Sequence, residues 1–229
     1  MKIIELHRTI TASNDLDAKR LRDLLTSRGI LLVNIMSSAG SGKTTLLLRL
    51  IADLKEKADI YVLEADIASD VDARSVEEAG AGSIQAHTDG MCHMDAGMTE
   101  SALKELFASE KTAANRPVIV FIENVGNLIC PAEYDTGAHR SVMLLSVPEG
   151  DDKPLKYPLM FMKSDALVIT KTDALAFFDF DMQKARERVL RLNPGIELFT
   201  VSAKTGDGMA ELESWIMAAA SEVKGASHA

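Results

Sequence analysis

Short, almost wholly apolar runs alternate along the chain with longer runs that have helical periodicity. The apolar runs predict strands buried on both faces, at residues 30–36, 59–64, 117–123, 141–147, 165–170 and 196–201. The amphipathic runs predict helices at residues 16–28, 43–57, 70–80, 96–113, 182–192 and 208–223. This alternation predicts an α/β fold with a doubly wound, mostly parallel sheet and right-handed crossovers. Ligands of such a sheet bind at the carboxyl ends of its strands.

The length of 229 residues fits one α/β domain with a substantial core. The predicted division is a helical extension at residues 1–29, a main domain at residues 30–223 and a frayed tail at residues 224–229. A polar, proline-bounded loop is expected at residues 148–154 inside the main domain.

Composition narrows the range of functions. The net charge of −9 argues against nucleic-acid binding as the main task, because phosphate backbones reward basic surfaces. No apolar run is long enough to span a bilayer, and the N-terminus lacks the apolar core of a signal peptide, so a cytoplasmic location is expected. The two cysteines, Cys92 and Cys130, do not suggest a disulfide framework.

A turn of small residues joins the first predicted strand to the following helix. It reads Ser37-Ser38-Ala39-Gly40-Ser41-Gly42-Lys43-Thr44-Thr45. In a P-loop the backbone N–H groups of residues 40–42 bind phosphate oxygens beside the positive end of the helix. Lys43 would reach the β- and γ-phosphates, and the Thr44 hydroxyl would ligate Mg²⁺. Ser37 departs from the general pattern, which has glycine there. The alternative is a glycine-rich turn that binds nothing, but strand, turn, Lys-Thr pair and helix are all in register for nucleoside triphosphate binding.

Two later strand ends predict a guanine site. Asp173 can accept hydrogen bonds from the N1–H and exocyclic amine of guanine, and the Lys171 stem can lie across the base. The segment Ser202-Ala203-Lys204 can face the guanine carbonyl and cover the base. Either segment alone is weak evidence, but both together after a P-loop predict GTP. Thr170 stands where G proteins usually have asparagine, which weakens the guanine preference.

Two acidic strand ends lie where a γ-phosphate and its metal ion would be bound. Asp66 follows one strand and would hold Mg²⁺ or orient the attacking water, while Glu123 would act from the other side. Gly126 has the spacing of the switch glycine of G proteins. The alternative, that such residues are helix caps or loop acids, competes most strongly for Asp70 and Asp72. The predicted catalytic residues are Lys43, Asp66 and Glu123.

The cysteines suggest a metal site. Cys92 and His93 are expected to open a helix, whose dipole would favour the thiolate. Cys130 lies seven residues after Glu123, on the switch segment 124–131. Two sulfurs and one imidazole suit Ni²⁺ or Zn²⁺, but three ligands are too few for a closed zinc site, so the site is shared between two chains or open for transfer. The alternative is that the thiols are small core residues. The other histidines are expected to be surface or capping residues: His7, His87, His139 and His228.

Four segments resemble the hydrogenase nickel-incorporation GTPases of the HypB type, which are related to the urease accessory GTPase UreG. They lie at residues 37–47, 92–96, 123–131 and 147–158, and the resemblance covers about residues 30–205. It implies a P-loop NTPase fold of the SIMIBI-like G-domain kind. Serine is usual in this family at the position of Ser37. Gly97 departs from the family, because many members carry histidine there.

The resemblance also implies a function: a slow, Mg²⁺-dependent GTPase that dimerises when it binds GTP. Cys92, His93 and Cys130 would hold nickel or zinc at the dimer interface. Thr44 and Asp66 would bind Mg²⁺, and Asp66 and Glu123 would belong to the switch machinery. The implied partners are a HypA-type nickel chaperone and the hydrogenase large-subunit precursor. The implied nucleotide contacts are Ser38, Ala39, Gly40, Ser41, Gly42, Lys43, Thr44, Thr45, Gly126, Thr170, Lys171, Asp173, Ser202, Ala203 and Lys204.

The leading hypothesis is that GTP binding and hydrolysis control the affinity of the protein for its metal. One alternative is a P-loop GTPase that serves another nickel enzyme, such as urease. A second is a small-molecule kinase, although no separate lid or acceptor motif is evident. A third is a metal carrier that retains the fold without catalysis, which the intact Lys43, Thr44 and Asp173 argue against.

Overall fold

The structure, a computed structural model, describes residues 2–65, 70–86, 90–108 and 116–227. Its centre is a seven-stranded sheet in which every neighbouring pair of strands is parallel, in the order β3-β2-β4-β1-β5-β6-β7. The strands are β1 (Ile30–Ser37), β2 (Asp59–Glu64), β3 (Gly82–Gln85), β4 (Val118–Glu123), β5 (Arg140–Ser146), β6 (Ala166–Thr170) and β7 (Glu197–Thr200).

Helices connect the strands and cover both faces of the sheet. They are α1 (Lys2–Ser27), α2 (Lys43–Leu54), α3 (Asp70–Ala79), α4 (Ala96–Ala108), α5 (Cys130–Glu133), α6 (Lys153–Lys156), α7 (Pro158–Lys163), α8 (Met182–Leu192) and α9 (Met209–Ala226). Two 3₁₀ segments lie at Val147–Glu149 and Thr172–Phe177. Among the helices of the described residues, none combines the length and the apolar character that a membrane-crossing helix needs.

The predicted α/β fold with a doubly wound parallel sheet is confirmed, and each of the six predicted strands is present with ends that differ by no more than one residue. The sequence did not predict β3. This strand has only four residues, lies at the edge of the sheet and is only partly buried. It therefore lacks the continuous apolar run by which the central strands are detected.

The central strands are apolar because both of their faces are buried. In β1, alternate residues point to opposite faces, as in any strand. Leu31, Val33 and Ile35 pack in the cluster that includes α2 and α9, whereas Leu32 packs in the cluster that includes α1 and α4. A third cluster lies between β5, β6 and helices α7 and α8. This packing leaves the carboxyl edge of the sheet free to carry the functional loops.

Several helix boundaries differ from the predicted ones. Helix α1 begins at Lys2 rather than at residue 16, because its first half contains residues of low helix propensity that hide the periodicity. Helix α9 continues to Ala226, through the first three residues of the predicted tail. The segment 148–154, expected to be a loop, contains part of a 3₁₀ segment and the start of α6. Residues 109–113 of the predicted helix 96–113 lie outside the described residues, as do His87 and His228.

Polar contacts fasten α1 to the sheet. Arg22 forms a salt bridge to Asp135, with an N···O distance of 2.8 Å, and donates to the Ala138 carbonyl. His139 accepts a hydrogen bond from the Leu32 N–H at Nδ1, so its other nitrogen carries the proton and donates to the Thr26 hydroxyl at 3.0 Å. His139 is therefore a structural residue, and its expected role as a surface or capping residue is wrong.

Replacing His139 by asparagine is expected to flatten the pH dependence of stability. Burial, with the nearby arginines, lowers the pKa of His139 from 6.5 to about 4. Below pH 6.5 the unfolded chain takes up a proton that the folded chain excludes until about pH 4. The free energy of unfolding therefore falls as the pH is lowered through this range, by up to about 3 kcal/mol. The asparagine side chain would still accept from Leu32 but would not titrate. Urea unfolding at pH 7 and at pH 4.5 measures the difference, and an equal loss in both proteins would contradict this assignment.

Candidate nucleotide and metal site

The turn between β1 and α2 needs glycine at two positions. Gly40 and Gly42 have φ angles of 75° and 97°, a region that other residues rarely adopt. Gly42 is the residue immediately before α2, a helix of twelve residues. The turn therefore leads directly into the positive end of a helix, as phosphate binding requires.

Ser37 organises this turn through its hydroxyl group. The hydroxyl lies fully buried at the end of β1, where it accepts hydrogen bonds from the Ser41 hydroxyl at 2.6 Å and from Lys43 Nζ at 3.2 Å. It donates to the carbonyl of Ser38 at 2.8 Å. Glycine, which the general pattern has at this position, could make none of these side-chain contacts. Ser37 therefore positions Lys43, a role that the sequence did not reveal.

The predicted magnesium side of the site contains a hydroxyl and a carboxylate in contact. Thr44, in the first turn of α2, donates a hydrogen bond to Glu123 Oε1 at 2.8 Å. Glu123 ends β4, next to β1 in the sheet, which explains why the two residues meet. Such oxygen donors suit Mg²⁺. Asp66, the third residue predicted for this side, lies outside the described residues; Ala65, just before it, donates its N–H to the Glu123 carbonyl at 3.1 Å.

The predicted base site is a cavity of about 240 Å³ beside the P-loop. Its lining includes Ser41, Gly42, Thr45, Thr170, Lys171, Asp173, Ala203 and Lys204. The Thr170 hydroxyl donates to the carbonyl of Ser41 at 2.8 Å, and Lys171 Nζ donates to the carbonyl of Gly40 at 2.7 Å. Thr170 thus links the base loop to the P-loop through its hydroxyl group.

A hydrogen bond holds the predicted guanine-binding carboxylate in place. Ser202, fully buried, donates from its hydroxyl to Asp173 Oδ1 at 2.8 Å. Asp173 itself is exposed at the mouth of the cavity. The two segments that the sequence proposed for guanine recognition are therefore in direct contact.

The segment that follows Glu123 passes directly over the P-loop. A Cβ atom added at Gly126 would lie 3.0 Å from both the backbone nitrogen and the Cα of Ala39. Contacts this short are tighter than nine in ten of those that real Cβ atoms make, and here the neighbour is backbone. A movement of the P-loop on nucleotide binding would therefore displace Gly126.

Replacing Gly126 by alanine is expected to weaken GTP binding about tenfold, because the added methyl group must push residue 126 and the P-loop apart, at a cost of about 1–3 kcal/mol. Gly225→Ala is the matched control, since a Cβ there meets nothing within 4 Å. Titration with a fluorescent GTP analogue measures both affinities. Equal affinity in Gly126→Ala and the wild type would show that the segment moves freely over the P-loop.

A second contact to the P-loop comes from Glu149, which is not among the predicted site residues. Ser38 donates from its hydroxyl to one oxygen of the Glu149 carboxylate. The other oxygen accepts hydrogen bonds from the N–H and the hydroxyl of Ser146, at 2.8 Å and 2.7 Å. Ser146 and Glu149 form a capping box, and the Ser-x-x-Glu spacing is the signal that could have revealed it.

The three predicted metal ligands lie together. One ligand atom from each of Cys92, His93 and Cys130 lies within 4.8 Å of the others, and Cys92 Sγ is 3.9 Å from His93 Nδ1. Ligands of tetrahedral zinc are about 3.5 Å apart, so no pair of these ligand atoms has to approach by more than about 1 Å to bind an ion. Among the described residues, no second cluster of three histidine, cysteine, aspartate or glutamate side chains lies this close together.

The surroundings of Cys92 differ from the predicted ones. Cys92 and His93 do not open a helix, because α4 begins only at Ala96, after Asp95, which accepts a hydrogen bond from the Met98 N–H at 2.8 Å. The prediction of a helix dipole at the thiol is therefore wrong. A hydrogen bond with Cys130 raises the pKa of Cys92 instead. Metal binding must then displace a proton from the site.

His93 is held in a fixed orientation. Its ring stacks on that of Tyr134, with 3.9 Å between centroids and 15° between planes. Burial lowers the pKa of His93, which favours the neutral imidazole that binds metals. Its Nε2 atom is buried and has no hydrogen-bond partner among the residues that the structure describes. The chemistry of the donor set, two sulfurs and a neutral nitrogen, fits Ni²⁺ or Zn²⁺.

The fold and these sites are those of a P-loop nucleotide-binding protein. Residues 31–200 match the model of the CobW/HypB/UreG nucleotide-binding domain. Over 215 residues, 94% of this chain, the sequence is 43% identical to the hydrogenase maturation factor HypB of Rhizobium leguminosarum, covering 70% of that protein. It is 41% identical to the hydrogenase/urease maturation factor HypB of Helicobacter hepaticus, covering 87% of it.

A solved structure shows the same relationship. The crystal structure of HypB from Helicobacter pylori in complex with nickel has a TM-score of 0.83 and 38% identity, over 92% of this chain and 96% of that one. The chain belongs to the HypB family of hydrogenase maturation factors, which are nickel-binding P-loop GTPases. The family predicted from the four sequence segments is therefore confirmed.

Proposed function

We propose that this protein is a GTP-hydrolysing metallochaperone that inserts nickel into the large subunit of [NiFe]-hydrogenase, with GTP-dependent dimerisation controlling metal release. One observation carries the proposal: the nucleotide contacts and a metal ligand lie on a single short segment. Glu123 contacts Thr44, Gly126 lies against Ala39, and Cys130 belongs to the metal group.

The nucleotide would bind with its phosphates on the turn 38–45 and its base in the cavity beside Asp173. Lys43 would leave the Ser37 hydroxyl for the β- and γ-phosphates, exchanging a neutral partner for a charged one. Bound Mg²⁺ would neutralise charge on the phosphates, held by Thr44 with Asp66 or Glu123. Glu123 and Asp66 would also orient the attacking water, and the rate is expected to be slow.

Movement of the metal ligands follows from the same contacts. Thr44 would bind Mg²⁺ through a lone pair of its oxygen and keep its hydrogen bond to Glu123, so the two side chains would move toward the ion together. The start of the segment 124–131 would shift, and Cys130 with it, relative to Cys92 and His93. A nucleotide can change metal affinity only through its differential affinity for the two arrangements, and the displacement of one thiolate supplies that difference.

A dimer would complete the site. Three protein ligands leave one position open on a four-coordinate ion. Cys92 is exposed, and two apolar residues flank the group, Met91 at 40% and Ile129 at 57% exposure. An apolar rim around an open metal site suits contact with a second copy of the chain, which would also hide the ion until release. The proposed partners that load and receive nickel are a HypA-type chaperone and the hydrogenase large-subunit precursor.

Transfer of ⁶³Ni from the loaded protein to the purified large-subunit precursor tests the proposal. We expect faster transfer with GTP than with GDP or no nucleotide, and release of inorganic phosphate in step with it. Equal transfer under all three conditions would contradict nucleotide control. A phosphorylated small-molecule product in place of free phosphate would support the kinase alternative.

Urease is the second candidate client, on the basis of one relative. The Helicobacter hepaticus protein is a hydrogenase/urease maturation factor. The same transfer assay with apo-urease as the acceptor separates the two clients: we expect the hydrogenase precursor to compete more strongly for the nickel.

A further inference from the structure

Asn124, between Glu123 and the switch glycine, joins three parts of the molecule through its side chain. The side chain is completely buried. Its Oδ1 atom accepts hydrogen bonds from the N–H of Val125 at 2.9 Å and from the N–H of Met94 at 3.3 Å. Its Nδ2 atom donates to Asn34 Oδ1 at 3.1 Å. The amide therefore contacts the segment over the P-loop, the segment that carries Cys92 and His93, and strand β1.

The orientation of this amide is determined by its partners. Main-chain N–H groups can only donate, so the atom that faces Val125 and Met94 must be the oxygen. Asn34, itself only 2% exposed on β1, then accepts from the nitrogen. The backbone N–H of Asn124 donates to the carbonyl of Ile35 at 3.1 Å, which fixes the residue to the same strand. By accepting from Nδ2, Asn34 keeps the Oδ1 atom of Asn124 directed at the N–H groups of Val125 and Met94.

Those two N–H groups belong to the two functional segments. Val125 precedes Gly126, which lies against the P-loop, and Met94 follows the metal ligand His93. Both N–H groups share one acceptor, and the bond from Met94 is the longer of the two. A shift of residues 125–126 therefore changes the hydrogen bond available to Met94, and with it the position of the Cys92–His93 pair. In a buried, closely packed site such a change moves neighbours in discrete steps.

We propose that Asn124 is a positioning residue that transmits the nucleotide state to the Cys92–His93 pair, while Cys130 moves with its own segment. This inference rests on the proposed control of metal affinity by the nucleotide. Without the amide, nucleotide binding would move Cys130 alone. With it, both parts of the metal site respond, and the change in affinity is larger than one moving ligand can produce.

The test is the ratio of Ni²⁺ dissociation constants measured with GDP and with a non-hydrolysable GTP analogue. We expect the wild-type ratio to fall within the range of about 5–150 that is usual for coupled sites, and the ratio in Asn124→Ala to fall below about 2. Asn124→Asp retains an oxygen toward Val125 and Met94, and its second oxygen can accept from Asn34 once that amide turns to present its Nδ2. Most of the ratio is then expected to return. The nickel–thiolate charge-transfer band should change with nucleotide in the wild type and stay constant in Asn124→Ala.

Asn127→Ala is the matched control, because within the described part of the chain the Asn127 side chain makes a local hydrogen bond, accepted from the Ile129 N–H at 2.8 Å. It should keep the wild-type ratio. Asn34→Ala, which frees the amide from β1, should reduce the ratio in the same direction, and it serves as the test if Asn124→Ala does not fold. A wild-type ratio retained in both variants would overturn the role of Asn124 alone. A ratio of one in the wild type would overturn the nucleotide control as well.

Discussion

Replacement of Lys43 by alanine is expected to lower the rate of GTP hydrolysis about 10²–10³-fold, the effect of removing one preorganised donor to a developing charge. Lys43 is nearly buried at the base of the P-loop, where its amino group lies 3.2 Å from the Ser37 hydroxyl. Lys43 is not one of the residues Cys92, His93 and Cys130 that form the metal group. Nickel affinity without nucleotide should therefore be unchanged, and phosphate release under single-turnover conditions measures the loss.

Lys55→Ala provides the control for this substitution. Lys55 follows the far end of α2, and its amino group makes an exposed contact to the carbonyl of Ala79. Its removal should leave hydrolysis at the wild-type rate. A Lys43→Ala protein that still hydrolysed GTP normally would contradict the assignment of the P-loop. One that lost hydrolysis but still delivered nickel normally would favour the alternative of a carrier without catalysis.

Replacement of Cys130 by serine is expected to lower the affinity for Ni²⁺ by more than the roughly 10–100-fold that loss of an outer-shell partner costs. The substitution removes one of two soft sulfur ligands and leaves a hydroxyl that binds nickel poorly at neutral pH. Cys130 is only partly buried, so the fold should be preserved. Competition with a chromogenic chelator measures the affinity, and GDP affinity in the same sample reports on the nucleotide site.

His139→Asn tests whether the loss is specific to the metal group. His139 is a histidine whose two ring nitrogens are already hydrogen-bonded, to Leu32 and Thr26, and nickel affinity should not depend on it. Cys92→Ser should weaken nickel binding as Cys130→Ser does, because the ligand atoms act on one ion. Wild-type affinity in Cys130→Ser would show that nickel binds elsewhere on the chain.

The fold and the main chemistry were predictable from the sequence because both depend on local patterns. Buried parallel strands appear as apolar runs, and the P-loop lies between such a run and a helix. Since parallel strands end at one edge, the sequence also predicted that Glu123 would lie beside the P-loop, and the structure has its carboxylate in contact with Thr44. The approach of Cys130 to Cys92 and His93 was predicted from chemistry and family resemblance, and the three lie together.

The features that the sequence did not reveal depend on contacts between distant residues. Asn34 and Asn124 are 90 positions apart and meet only because β1 and β4 are neighbours. A buried asparagine looks no different in sequence from one in a turn. The role of Ser37 depends on the path of the P-loop, which brings Lys43 back over the end of β1. Cys92 lies before α4 because the helix is capped by Asp95 and begins after it. The sequence did not reveal this cap, since the Cys-His pair itself is the predicted helix start.

The most direct test of nucleotide control is the affinity of the wild-type protein for Ni²⁺ with GDP and with a non-hydrolysable GTP analogue, with the oligomeric state followed by sedimentation in the same samples. Under nucleotide control, the analogue is expected to produce a dimer and to change the nickel dissociation constant by about 5–150-fold. Equal dissociation constants and an unchanged sedimentation coefficient with the two nucleotides would contradict it.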